Sequence, residues 1–246
     1  MPAKKKLTVI QGHVARLNNG TPTEKAQAAA ALWVLAVKDD GKKKEISEAG
    51  GIAPLLAIIH QGTPMEREHA AGALRSLAFN NEANQSAIRK AGGVVSLVTL
   101  ARDGTPKQKG LAAGALEILA SNDIDQVAIR EAGGIEALVA LACDGMPEQK
   151  QTAVGALRRL AVNHDNQMVI REVGGIIPLV ALAVDGTPRQ KLLASQTLIE
   201  VNPAPRNVPS KDDLFHLDFD TGEIARRYTL RGGSMGYTRR AVSGAE

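Results

Sequence analysis

Three short markers recur along this chain with one common period. A Gly-Gly pair stands at 50–51, 92–93, 133–134 and 174–175, at steps of 42, 41 and 41 residues. A Gly-Thr-Pro or Gly-Met-Pro triplet and an Ala-Leu pair recur in phase with it. Three markers in one register predict about four complete copies of one supersecondary unit after a leading partial copy. Such arrays form long binding surfaces more often than catalytic pockets.

Residues 82–122 show how one unit is expected to fold. Two short segments of helical apolar spacing are separated by the Gly-Gly pair, which predicts a sharp bend between them. Gly104 is expected to end the second helix in a left-handed conformation. The Thr-Pro-Lys-Gln segment that begins at Thr105 has the spacing of a capping box and starts a long third helix. In one copy Met146 replaces the capping Thr, which is expected to cost that helix about 1 kcal/mol.

This three-helix unit resembles the armadillo repeat. The resemblance is carried by Ala-Gly-Gly-Ile-Glu-Ala-Leu-Val-Ala-Leu at 132–141 and Ala-Ala-Gly-Ala-Leu-Glu-Ile-Leu-Ala at 112–120, with counterparts at 49–56 and 70–78. It implies an all-α fold, a right-handed α-solenoid over residues 1–201. It also implies that the third helices line a concave groove that binds extended peptides.

The leading partial copy is expected to lack its first helix. Residues 3–19 have the pattern of a second helix, and its apolar stripe consists of Leu7, Ile10, Val14 and Leu17.

The resemblance also locates positions where arrays similar to importin-alpha carry peptide-binding ladders. A ladder Trp stands two residues before the Leu of the Ala-Leu pair, and a ladder Asn stands two residues after it. The Trp positions hold Ala30, Gly72, Gly114 and Gly155, and the Asn positions hold Val34, Ser76, Ile118 and Arg159. Neither ladder is present, so recognition of nuclear-localisation peptides by that mechanism is not expected.

The mid-helix glycines of this set have two interpretations. They allow either close packing between third helices or a shallow groove floor that a partner approaches closely. No acidic or basic stripe stands out among the other groove positions, which leaves the chemistry of the partner open. The candidate partner-binding residues are Glu68, His69, Gly72, Ser76, Gly114, Ile118, Gln151, Thr152, Gly155 and Arg159.

No group of residues has the pattern of a catalytic, cofactor or metal site. The five histidines are scattered, and none has a Cys or a second His at metal-ligand spacing. Cys143 falls in an apolar stretch and is expected to be a buried, inert thiol. As the single cysteine it indicates a reducing compartment, the cytoplasm or the nucleus. The sequence therefore predicts a protein that is not an enzyme, and no apolar run is long enough to span a membrane.

The repeat pattern ends after residue 201. Three prolines in 202–209 predict a linker, and 214–230 could form a weak hairpin within a mostly flexible tail, 202–246.

The leading functional prediction is a protein-interaction scaffold whose groove binds a protein or an extended peptide. One alternative is a substrate-recognition component of a ubiquitin-ligase system acting with another chain. Another is nucleic-acid binding through the basic termini, which a net charge of +4 does not by itself favour.

Overall fold

A computed structural model describes residues 7–201, which form fourteen α-helices joined by short turns. The helices are α1 (Val9–Asn19), α2 (Pro22–Lys38), α3 (Asp40–Glu48), α4 (Ile52–Gln61), α5 (Pro64–Ala78), α6 (Glu82–Lys90), α7 (Gly93–Asp103), α8 (Pro106–Leu119), α9 (Asp123–Glu131), α10 (Gly134–Asp144), α11 (Pro147–Leu160), α12 (His164–Glu172), α13 (Ile176–Asp185) and α14 (Pro188–Val201). The predicted linker and hairpin lie outside the described residues.

The helices repeat in groups of three. The complete units are α3–α5, α6–α8, α9–α11 and α12–α14, and α1 and α2 are the second and third helices of a leading partial unit. The third helices α2, α5, α8, α11 and α14 pack side by side in one layer. The second helices α1, α4, α7, α10 and α13 form another layer. This arrangement confirms the predicted α-solenoid of four complete units and one partial unit.

The two glycines of each Gly-Gly pair have different roles in joining the first helix to the second. The first glycine has a φ between 75° and 79° in every pair, a conformation that costs other residues about 1–2 kcal/mol. At the second glycine, a Cβ would lie less than 3 Å from Cγ2 of the isoleucine five residues earlier. The first glycine therefore allows the sharp bend between the two helices, and the second allows them to approach closely.

The third helices begin at capping boxes, as predicted. The N-cap threonine accepts a hydrogen bond from the backbone N–H three residues later, and that residue's side chain accepts one from the threonine N–H. The four threonines are Thr21, Thr63, Thr105 and Thr187. Met146 keeps only half of this arrangement, because its N–H donates to Gln149 Oε1 at 2.8 Å while its side chain makes no capping bond.

The predicted left-handed cap at Gly104 is wrong. Gly104 has a φ of −72° and a ψ of 172°, and the equivalent glycines of the other units are extended as well. Its N–H donates to the carbonyl oxygen of Leu100 at 3.0 Å. A Cβ on Gly104 would lie less than 3 Å from that oxygen. Glycine is therefore favoured here because the Cβ of any other residue would collide with the last turn of the helix.

The apolar core runs the length of the array and is built from Leu, Ile, Val and Ala of all three helix layers. The leucine of the Ala-Leu pair is fully buried in the first four third helices, at Leu32, Leu74, Leu116 and Leu157. In α1 the predicted stripe is buried except for Leu7, which is 63% exposed. That part of the prediction is wrong because α1 begins only at Val9.

Cys143 is exposed, which corrects the prediction that it is buried. It follows Glu136 and Ala140 along the exposed side of α10, so the apolar stretch beside it belongs to the opposite side of the helix. Partial burial and the neighbouring Asp144 raise the pKa of the Cys143 thiol. The thiol therefore has little thiolate character at neutral pH, and thiolate is the nucleophilic form.

Side-chain hydrogen bonds join each unit to the next. On three third helices, the glutamine of the capping box donates its Nε2 hydrogen to the carbonyl of the first proline of the preceding third helix. The pairs are Gln108–Pro64, Gln149–Pro106 and Gln190–Pro147.

Among the described helices, none is long and apolar enough to cross a membrane by itself. One pair, α12 with α13, meets the length and composition criteria only when the two are joined across their 88° bend.

Candidate partner-binding face

The third helices bury one side in the core and leave the other side half-buried or exposed. Half-buried or exposed side chains stand one and two residues after the Ala-Leu leucine, and others lie about one and a half turns before it. We define the third-helix face by Trp33, Val34, Glu68, His69, Arg75, Ser76, Glu117, Ile118, Gln151, Thr152, Arg158, Arg159 and Arg189.

All ten candidate residues from the sequence lie on third helices, in α5, α8 and α11. Seven of them are half-buried and belong to the third-helix face: Glu68, His69, Ser76, Ile118, Gln151, Thr152 and Arg159. Gly72, Gly114 and Gly155 are buried. Partner binding by these residues stays a prediction, which the structure extends with the residues around them.

Each of the three buried glycines is covered by a side chain of the preceding third helix. A Cβ at Gly72 would lie 2.5 Å from ring carbons of Trp33. A Cβ at Gly114 or Gly155 would lie 2.7 Å from the nearest atom of the side chain above it. The covering pairs are Trp33 over Gly72, Arg75 over Gly114 and Glu117 over Gly155. Close packing between third helices therefore accounts for the glycines, and a partner would meet the covering side chains.

The covering residues escaped the sequence analysis as a set. Trp33, Arg75 and Glu117 all stand directly after the Ala-Leu leucine. A comparison of this recurring position with that of the mid-helix glycines could have identified them. Arg158 stands at the same place in α11, and its Nη1 donates to Oε1 of Gln196 at 3.3 Å. Gln196 takes the glycine's place in α14, so the pattern continues to the last unit.

Glu117 is the carboxylate at the middle of the third-helix face. Its side chain is 28% exposed, and Oε1 lies 4.0 Å from Nε of Arg159. Burial raises the pKa of Glu117, and the positive charges of Arg159, Arg75, Arg189 and Arg158 offset this effect only in part. Four guanidinium groups therefore surround one carboxylate, which makes this part of the face positive.

Three of these arginines have no acidic partner within the described part of the chain. Among residues 7–201, no carboxylate oxygen lies within 4.0 Å of the guanidinium of Arg75, Arg158 or Arg189. Nearer the start of the helices, Glu68 pairs with Lys107 at 2.7 Å. The uncompensated charge of the face is thus cationic.

Two open recesses interrupt the third-helix face. The first, of about 580 Å³, lies at the end of α5 and is lined by Phe79, Asn80, Gln85, Ile118, Ser121 and Arg159 among others. The second, of about 620 Å³, lies between the starts of α8 and α11, with Arg75, Lys107, Leu111, Met146, Glu148 and Thr152 among its lining residues. Among residues 7–201, no three His, Cys, Asp or Glu side chains converge so that they could hold a metal ion.

Solved structures share this arrangement of helices. A computationally designed armadillo repeat protein for modular peptide recognition is 24% identical, with a TM-score of 0.74 over 78% of this chain and 81% of that one. The chain folds as an armadillo-repeat array. An engineered protein is 27% identical, with a TM-score of 0.75 over 79% of this chain and 80% of that one.

Another solved structure matches over a larger share of this chain. A designed armadillo repeat protein in complex with the peptide (KR)4 is 22% identical, with a TM-score of 0.74 over 93% of this chain and 94% of that one. No protein-family model matches the chain. No curated protein matches it either.

Proposed function

We propose that this armadillo array is a non-catalytic interaction module that holds a protein segment in extended conformation across the third-helix face. The observation that carries the proposal is the continuous layer of third helices, whose outer side chains are mostly polar or charged and only partly engaged with one another. The designed armadillo proteins of the same fold support it, since one was made for modular peptide recognition and another holds the peptide (KR)4.

The side chains of the third-helix face are suited to binding because several have unused hydrogen-bonding capacity. Among the described residues, none forms a side-chain hydrogen bond with Ser76 or Gln151, although both are half-buried. Arg75 likewise has no carboxylate within 4.0 Å in residues 7–201. A ligand that supplies partners for these groups replaces their hydrogen bonds to water, which is a net gain of about 0.5–1.5 kcal/mol for each bond.

The test selects peptides from a random display library against the full chain and measures their affinity for two variants. Thr152→Trp places a bulky ring on the third-helix face, in the second recess. Thr99→Trp makes the same change at an exposed site of the second helix α7. We expect Thr152→Trp to weaken binding at least about tenfold, or 1.4 kcal/mol, and Thr99→Trp to leave it unchanged.

Thermal melting of both variants checks that each keeps its fold. Equal effects of the two changes would place the binding site elsewhere, and failure to select any peptide would contradict the proposal.

Location in the cytoplasm or nucleus stays a prediction from the single cysteine. The ubiquitin-ligase and nucleic-acid alternatives stay predictions as well.

A further inference from the structure

We infer that the recess at the end of α5 binds an apolar side chain of an extended acidic segment, in which a carboxylate two residues away pairs with Arg159. The inference rests on the proposed function. It adds the charge of the partner and the place where the partner is anchored.

The recess lies beside the segment from Leu74 to Asn81, which is one residue longer than its counterparts in the next two units. The capping asparagine of the following first helix stands seven residues after the Ala-Leu leucine in this unit and six residues after it in the next two. Asn80 accommodates the extra residue with a φ of 53°, and no other non-glycine residue in 7–201 has a positive φ. Asn takes this conformation more readily than most residues.

The same turn presents an aromatic ring that is exposed and yet held in place. Phe79 is 52% exposed. Nζ of Lys43, on α3, donates to the Phe79 carbonyl at 2.8 Å and lies 5.2 Å from the ring centroid, within cation–π range. Ile118 of α8 lines the same recess. An apolar surface that is already ordered loses little conformational entropy when a ligand side chain packs on it.

Arg159 supplies the charge at this recess. Its 4.0 Å separation from Glu117 is longer than the 2.7–2.9 Å or so of a charge-assisted hydrogen bond, so the guanidinium has capacity for a better-placed carboxylate. The only acidic residue in the recess lining is Glu82, which is exposed in the first turn of α6. The arginines around Glu117 extend the positive charge along the third helices.

These charges favour an acidic segment over a basic one. Complementary charges across an interface raise affinity and suppress binding of partners with the wrong sign. The recess volume of about 580 Å³ lies within the range of sites that hold small ligands. An extended peptide can fill it, because side chains two residues apart point to the same side. An apolar side chain can therefore enter the recess while a carboxylate two residues away lies near Arg159.

The test measures binding of four fluorescent probes to the full chain by anisotropy. The probes are the octapeptides (Glu-Ser-Leu-Ser)2, (Glu-Ser-Ser-Ser)2 and (Lys-Ser-Leu-Ser)2 and an octauridylate. We expect (Glu-Ser-Leu-Ser)2 to bind about tenfold more tightly than each of the others, the typical effect of losing one good anchor or of reversing the charge. Tighter binding of the octauridylate would assign the cationic surface to nucleic acid and overturn the inference.

Four substitutions then locate the site. Phe79→Ala should weaken binding of (Glu-Ser-Leu-Ser)2 about tenfold and leave binding of (Glu-Ser-Ser-Ser)2 unchanged. Arg159→Gln should weaken both peptides, and Glu117→Gln should strengthen both because it removes the competing carboxylate. Arg102→Gln, on the exposed end of the second helix α7, makes the same charge change as Arg159→Gln away from the third-helix face and should have no effect.

Val95→Ala is the control for Phe79→Ala, since Val95 is an exposed apolar residue of α7. Equal effects of Phe79→Ala on both glutamate peptides, or no effect on either, would show that the recess is not an apolar anchor. Binding of (Lys-Ser-Leu-Ser)2 as tight as that of (Glu-Ser-Leu-Ser)2 would refute the acidic partner. If none of the probes binds while display selects a peptide that Thr152→Trp blocks, the proposed function stands and this inference is wrong.

Discussion

Gly72 and Gly114 occupy the same place in successive third helices, and alanine at the two sites should have opposite effects on stability. Alanine is favoured over glycine in a helix interior by about 1 kcal/mol. At Gly114 the new Cβ would meet Nε of Arg75 at 2.7 Å, and Arg75 is an exposed side chain that can move away. At Gly72 it would meet ring carbons of Trp33 at 2.5 Å, and this half-buried ring packs against the core.

The magnitudes follow from these contacts. Forcing an extra methyl group against packed side chains costs about 1–3 kcal/mol, from which the gain in helix propensity is subtracted. Gly72→Ala should therefore lower the free energy of unfolding by up to about 2 kcal/mol, whereas Gly114→Ala should raise it by up to about 1 kcal/mol. In a Trp33→Leu background, Gly72→Ala should lose most of its cost, because the rigid ring is gone.

Urea unfolding of the full chain, followed by circular dichroism, measures these differences. Trp33 is the single tryptophan, so its fluorescence reports directly on the site where Gly72 is covered. Because repeat arrays can unfold in more than one step, both the midpoint and the slope of each transition are compared. Equal stabilisation by both substitutions would refute the packing of Trp33 on Gly72. Equal destabilisation would show that the rigidity of the covering side chain is not what matters.

Three further predictions concern the caps, the bends and the third-helix face. Met146→Thr completes a capping box and should raise the free energy of unfolding by about 1 kcal/mol, measured as a higher urea midpoint. Gly92→Ala should cost about 1–2 kcal/mol because of its left-handed backbone, with Gly92→Asn costing less. At Gly93 both alanine and asparagine should destabilise, because any Cβ collides with Ile88, and thermal melts of the four variants compare the sites. Burial raises the pKa of Glu117, so the folded chain keeps this proton to higher pH than the unfolded chain does. Relative to Glu117→Gln, the wild-type protein should lose stability as pH rises from the ordinary glutamate pKa through the raised one, which melting curves across that range would show.

The fold could be predicted from the sequence because its signals are local. A capping box such as that of Thr63 needs only the residues within one helical turn. The Gly-Gly bends and the apolar spacing of each helix are likewise set within one unit. The period then repeats these local instructions, so the helix order, the four complete units and the buried leucines followed from the sequence before any contact between units was known.

The tertiary structure alone decided how neighbouring units meet. Arg75 covers Gly114 from a helix about forty residues earlier, and whether a covering side chain is rigid or mobile depends on its own surroundings. Cys143 lies in an apolar stretch, but the rotation of α10 against its neighbours exposes it. The recess beside Asn80 shows the same limit, since Ile118 and Arg159 reach it from two later helices. Helical periodicity describes one helix at a time, whereas these features depend on the distances and rotations between helices.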